Sequence, residues 1–190
     1  MVFRFLTMII LMLMTLFNET DLTDNHLDNQ FDFAQLQPAH MEIVNDGVMG
    51  GVSGSQMDVA ETATFSGTLS LDNNGGFASV RMRWPFADEK TKDNSQSLLL
   101  KVKGDGLKYQ FRLRTHRGFD GAAYVYTFET TAGEQQVVRM NAEDFIPQYR
   151  GRQLTDQPPL RWADVVQMGV LVADKQEGPF AIELIALEWQ

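Results

Sequence analysis

The sequence predicts an all-β protein, an antiparallel two-sheet β-sandwich of the jelly-roll type. Three observations predict it. From Thr64 to Trp189 the apolar residues recur with a period of two, turn residues break the pattern at short intervals, and no stretch after residue 30 keeps a helical period. Eight segments read as strands: "TFSGTLSL", "GFASVRMRW", "SLLLKVK", "LKYQFRLRT", "AAYVYTFET", "EQQVVRMN", "QMGVLVAD" and "FAIELIALEW". Strands this closely spaced fit a sandwich, because a parallel sheet would need crossover helices between them.

Residues 1–30 stand apart from this pattern. Arg4 precedes an apolar run from Phe5 to Phe17, which gives way to a polar, acidic stretch without periodicity. The run suits the apolar core of a secretory signal and falls short of the roughly 20 residues of a spanning helix. The expected organisation is a signal-like or anchor segment with a polar linker over 1–30, and a single β-sandwich domain over 31–190. A genuine signal implies export or membrane association through residues 5–17; without one the cytoplasm is expected. The 190 residues carry a net charge of -9 and no cysteine. The acidic balance argues against a nucleic-acid partner, which would need a basic surface to displace counterions. The missing cysteines exclude disulfides, thiolate metal sites and thiol catalysis.

The first ordered feature is "NDGVMGGVSGS", residues 45–55. It lacks the Lys-Ser/Thr ending of a phosphate loop, the spacing and helix of a dinucleotide fingerprint, and the closing glycine of a nucleophile elbow, where Ser55 stands instead. What remains is a glycine-enabled corner that tucks Val48, Met49 and Val52 under the sandwich. The turns Asp72-Asn73-Asn74-Gly75-Gly76 and Gly104-Asp105-Gly106 supply residues that tolerate positive φ, as tight hairpins require. The first of them offers oxygens to calcium, but its residue types already suit a turn, and no metal is expected. His26, His40 and His116 have no second ligand at zinc spacing. No cofactor is expected. The longest irregular stretch, "DFIPQYRGRQLTDQPPLRWADV", reads as a functional loop or an ordered flap.

The most informative polar pattern is arginine placement. On "LKYQFRLRT", Tyr109, Phe111 and Leu113 share one face, and Gln110, Arg112 and Arg114 the other. On "GFASVRMRW", Val80, Met82 and Trp84 oppose Ser79, Arg81 and Arg83. Such a face either holds a carboxylate, a phosphate or an acidic protein segment through bidentate contacts, or is a solvated outer surface with cross-strand partners such as Glu129.

Taken together, "VNDGVMGGVS" (44–53), "FSGTLSLDNNGGFASVR" (65–81), "VKGDGLKYQFRLR" (102–114), "DFIPQYRGR" (144–152) and "GPFAIELIALE" (178–188) resemble the complex I intermediate-associated protein 30 family. The resemblance covers nearly all of 41–188, and the first two stretches are its most specific part. It implies a galactose-binding-like sandwich and a non-enzymatic role, since mitochondrial members act as assembly factors for respiratory complex I.

The expected function is therefore a protein-binding domain of the assembly-factor or chaperone-like kind, with respiratory-complex subunits as partners. Asp46, Met49, Arg81, Asp105, Tyr109, Arg112, Arg114 and Arg150 are its candidate surface, with Asp46 and Asp105 also suited to capping turns. The alternative is a carbohydrate-binding module of an exported protein, which predicts glycan-stacking rings among Tyr124, Tyr126, Tyr149 and Trp162. An enzyme with an unmarked carboxylate pair is the third class; no residue is singled out as catalytic.

Overall fold

The structure, a computed structural model, describes residues 29–86, 94–118 and 120–190. The apolar run 5–17, the linker up to residue 28 and His26 lie outside the described residues. The chain groups into two units, Met1–Gln30 and Phe31–Gln190, and the sandwich belongs to the second. Thirteen strands succeed one another among the described residues: β1 (Gln30–Asp32), β2 (Met41–Asn45), β3 (Gly54–Val59), β4 (Ala63–Leu69), β5 (Ala78–Arg83), β6 (Leu98–Lys103), β7 (Lys108–Arg114), β8 (Ala123–Glu129), β9 (Gln135–Met140), β10 (Ile146–Tyr149), β11 (Arg152–Gln153), β12 (Gln167–Val172) and β13 (Gly178–Trp189). They form two antiparallel sheets. One runs β3-β4-β13-β6-β9 with β1 also against β13, and the other runs β11-β10-β8-β7-β12-β5-β2.

All eight segments read from the sequence are strands, and the antiparallel sandwich stands as expected. Their alternation builds the core. Tyr109, Phe111 and Leu113 of β7 are fully buried, as are Val170 and Val172 of β12 and Val80 of β5. From the facing sheet Phe65, Leu100, Ile182 and Leu184 close against them in one cluster. On β13 the strict period breaks once: its register with β6 shifts between Leu184 and Ala186, so the inward set passes from Ile182 and Leu184 to Leu187 and Trp189. A bulge of this kind adds one residue and reverses which parity faces in.

Two sequence expectations are corrected. The turns at 72–76 and 104–106 are not hairpins, because β4 and β5 lie in different sheets, as do β6 and β7. Both are corners between sheets. Their residues still take the conformations that turn chemistry suggested: Asn73, Asn74, Gly76 and Gly106 all have positive φ. The long irregular stretch also contains structure, since β10 and β11 pair in a hairpin whose turn places Arg150 and Gly151 at φ 47° and 76°. β10 then extends the second sheet through β8. The rest of the stretch packs inward through Leu160 and Trp162, each 2% exposed.

Candidate functional site

The outer face of the second sheet carries a groove of about 860 Å³. Strand register decides which residues share its face. Residues directly opposite across antiparallel strands share a face, so Glu42, Arg81, Gly169, Arg112, Val125 and Ile146 form one row across β2, β5, β12, β7, β8 and β10. A second row on this face contains Arg83, Gln167 and Arg114, of which Arg114 lines the groove and Arg83 lies outside it. Arg81 and Arg112, read from the sequence as lying on the polar faces of two separate strands, share one face of one sheet, with β12 inserted between their strands.

The arginines sit low on this face. Arg114 is only 6% exposed, and Arg112 is half-buried. Burial, then the charge of Arg81, lowers the Arg112 pKa to about 10; burial, then Arg81 and Arg112, lowers that of Arg114 to about 10. Arginine nonetheless stays protonated in water near neutrality, so these shifts measure the cost of holding the charge there. Glu129, the expected cross-strand partner, instead meets Lys108 at 3.3 Å.

One wall of the groove begins at the opening glycine loop, and Asp46 explains that loop's composition. Asp46 is fully buried. Its Oδ1 accepts from Ser53 N at 3.0 Å, and its Oδ2 accepts from Ser53 Oγ, from Gly76 N at 2.6 Å and from Phe77 N at 3.4 Å. Burial pushes the carboxyl pKa up, but the hydrogen bonds from Ser53, Gly76 and Phe77 together outweigh it and hold the group below its usual range. A Cβ at Gly51 would lie 2.4 Å from Asp46 Cγ, and one at Gly75 would lie 2.5 Å from Asp46 Oδ2. Gly51 and Gly75 are thus the walls of one carboxylate clamp, to which Gly76 adds an N–H donor.

The clamp fixes a loop whose apolar side chains point outward. Val48, Met49 and Val52 are 76%, 63% and 59% exposed, contrary to the expectation that they tuck under the sandwich. The Asp46 carboxylate occupies the inner position in their place. Val48 and Met49 border the groove.

Of the eight candidate residues, Met49, Arg81, Arg112, Arg114 and Arg150 line the groove. Three do not. Asp46 is sealed in its clamp, and Tyr109 points into the core with no exposed surface. Asp105 accepts from Leu107 N, Tyr109 Oη and Ala181 N at 3.0, 2.9 and 2.7 Å, fixing a corner of the sandwich. Burial, with the Asp105 charge second, pushes the Tyr109 hydroxyl pKa up. Arg150 proves both exposed and anchored: its guanidinium meets Asp120 Oδ2 at 3.2 Å and lies over the Tyr149 ring, 5.1 Å from the centroid. Tyr149 Oη donates to the same Asp120 oxygen at 2.9 Å. Groove residues that the sequence did not single out for the site include Val48 and Gly169, and Gly169 left a signal, a glycine inside an apolar strand.

Comparison with known proteins gives the chain a family. Residues 31–184 match the family described as complex I intermediate-associated protein 30. The chain belongs to that family. Among curated relatives, the mitochondrial complex I intermediate-associated protein 30 of Drosophila melanogaster is 29% identical over 154 residues, covering 70% of this chain and 52% of the relative. A Caenorhabditis elegans protein named as the probable mitochondrial form is 27% identical over 139 residues, covering 65% of this chain and 41% of its own length. The chain thus spans about half the length of the curated relatives it matches. Among solved structures, a family 11 carbohydrate-binding module from Clostridium thermocellum, in complex with a mixed-linked tetrasaccharide, superposes with a TM-score of 0.58. It covers 84% of this chain and 94% of the module at 14% identity, a likeness of fold alone. Within the sandwich of this chain, the two most specific sequence stretches, 44–53 and 65–81, meet at the Asp46 clamp.

Proposed function

We propose that this chain is a non-enzymatic protein-binding domain acting in the assembly of respiratory complex I, and that the groove bordered by Val48 and Met49 is its working face. The observation that carries this reading is the clamped loop. A buried carboxylate with four hydrogen bonds holds a short segment rigid while three apolar side chains stand in solvent. Rigid exposed apolar groups lose little conformational entropy on association, and contiguous ones mark interaction surfaces. Family membership supplies the kind of partner.

Glycan recognition has less support on this face. Tyr124 and Trp162, two of the rings a sugar platform would use, are 3% and 2% exposed, and Tyr126 packs on Phe145. Tyr149 borders the groove, but Arg150 lies over its ring.

Affinity purification of the full-length tagged protein from its own cells tests the proposal, with Val48→Ser/Met49→Ser as the comparison. Wild type is expected to enrich respiratory-complex subunits, and the double variant to recover at most a tenth as much while keeping the same thermal midpoint within a few degrees, because both positions are exposed. Equal recovery by the two proteins, or no such subunits with wild type, would overturn it.

A further inference from the structure

The groove floor holds two cations, Arg112 and Arg114, that no carboxylate among the described residues neutralises. Arg81 and Arg112 stand opposite Gly169 on either side of β12, and Arg114 follows Arg112 on the same face of β7. At about 4.8 Å per strand and 3.4 Å per residue, Arg81 and Arg112 are about 10 Å apart across the floor, and Arg112 and Arg114 about 7 Å apart along it. Gly169 places no side chain between them. Arg81 has an interaction of its own. The Nε atoms of Arg112 and Arg114 are buried with no hydrogen-bond acceptor. Among the described residues no carboxylate pairs with either guanidinium. Gln167 Oε1, beside Arg114, is likewise buried and unpartnered, and turning its amide over would present two further donors.

Two neighbouring cations whose Nε groups lack acceptors oppose folding through desolvation and mutual repulsion, and an incoming anion relieves both. We infer that Arg112 and Arg114, with Arg81 beside them, form a carboxylate-binding site that receives acidic side chains of a polypeptide partner. This rests on the protein-binding reading above. The guanidinium fork matches the two oxygens of a carboxylate. The rim selects against densely charged anions, because Glu42, Asp120 and Asp174 also line the groove, and Asp120 is already held by Tyr149 and Arg150. A polypeptide projects single negative charges between those rim groups and can offer apolar side chains to Val48 and Met49 in the same contact.

The test uses the isotope-labelled full-length chain and follows the Arg Nε–Hε signals by NMR, with hexaglutamate, hexaglutamine and inorganic phosphate as probes. Hexaglutamate is expected to shift the Arg112 and Arg114 signals saturably, and hexaglutamine to leave them in place. Arg112→Gln and Arg114→Gln are each expected to weaken hexaglutamate binding at least fivefold, with Arg83→Gln, whose side chain is exposed, as a charge-matched control within twofold. Thermal unfolding of each variant establishes that it is folded. Unmoved arginine signals, a stronger response to phosphate than to hexaglutamate, or equal weakening by Arg83→Gln would each overturn the inference. If the Val48/Met49 variant loses its subunits while hexaglutamate leaves the arginines unmoved, the carboxylate site falls and the protein-binding reading stands. If hexaglutamate binds but wild type enriches no respiratory-complex subunits, the reverse holds.

Discussion

At Asp46 a single side chain fixes the loop and, through it, the groove wall. Its carboxylate receives three backbone N–H donors and one hydroxyl. Asp46→Asn replaces one accepting oxygen with an NH₂ group that faces donors, and is expected to cost about 2–4 kcal/mol in urea unfolding, the range for breaking a buried, hydrogen-bonded charge. The pH dependence follows from the lowered folded-state pKa. The charged form then contributes stability above the ordinary carboxylate range, and that contribution is lost as pH falls through the lower folded value. Asp46→Asn should therefore flatten the acid limb of a stability-versus-pH curve, and an unchanged limb would count against the clamp. Arg114 predicts the opposite sign. Its folded-state pKa of about 10 lies below the value in an unfolded chain, so its charge opposes folding at neutral pH, and stability would rise only as pH climbs through that alkaline window. Arg114→Met is expected to raise stability by about 1–2 kcal/mol, the benefit of exchanging an uncompensated buried charge for an apolar chain of similar length. A loss of stability instead would mean that Arg114 is a structural residue.

At the scale of elements, the sheet tolerates the arginine row because β12 lies between β5 and β7 and contributes a glycine at the crossing point. A Cβ on Gly169 would come within 2.6 Å of the Val80 carbonyl oxygen. Gly169→Ala must push β5 away from β12 in the centre of the second sheet, and is expected to cost about 1–3 kcal/mol in thermal or urea unfolding. A neutral result would show that the strands separate there without loss. The same strands show what sequence patterning can reveal. β4 to β9, β12 and β13 were legible because each carries several apolar residues in alternation, as with Tyr109, Phe111 and Leu113. β2 and β3 were not legible, since "MEIVN" is short and "GSQMDV" buries only Met57. The β10-β11 hairpin was hidden by Pro147 and by a turn that uses Arg150 at positive φ, a conformation few side chains adopt.

At the scale of the molecule, legibility divides by distance along the chain. The arginine face could be read from period two alone, because both strands carry their own pattern. The Asp46 clamp could not, since its second wall lies 30 residues away at Gly76, and apolar residues beside glycines suggest burial until the clamp is seen to face them outward. The aromatic end of the sandwich depends on still longer separations. Trp84, after β5 in the second sheet, meets Trp189, at the end of β13 in the first, with ring centroids 6.1 Å apart. Trp162 from the long connection lies 5.2 Å from Trp189, and its Nε1 donates to Gln96 O at 3.1 Å. All three tryptophans of the chain therefore sit in one buried cluster joining both sheets and the long connection, and none lines the groove. Edge-to-face contacts of this kind add to burial and tie the three segments into one cooperative unit. Tryptophan fluorescence should accordingly be blue-shifted in the native protein, and its urea transition should coincide with that of far-UV circular dichroism, as one cooperative unfolding event requires. Hexaglutamate should leave the emission unchanged, because the groove carries no indole. An earlier fluorescence transition would instead identify the long connection around Trp162 as a flap that opens before the sheets separate.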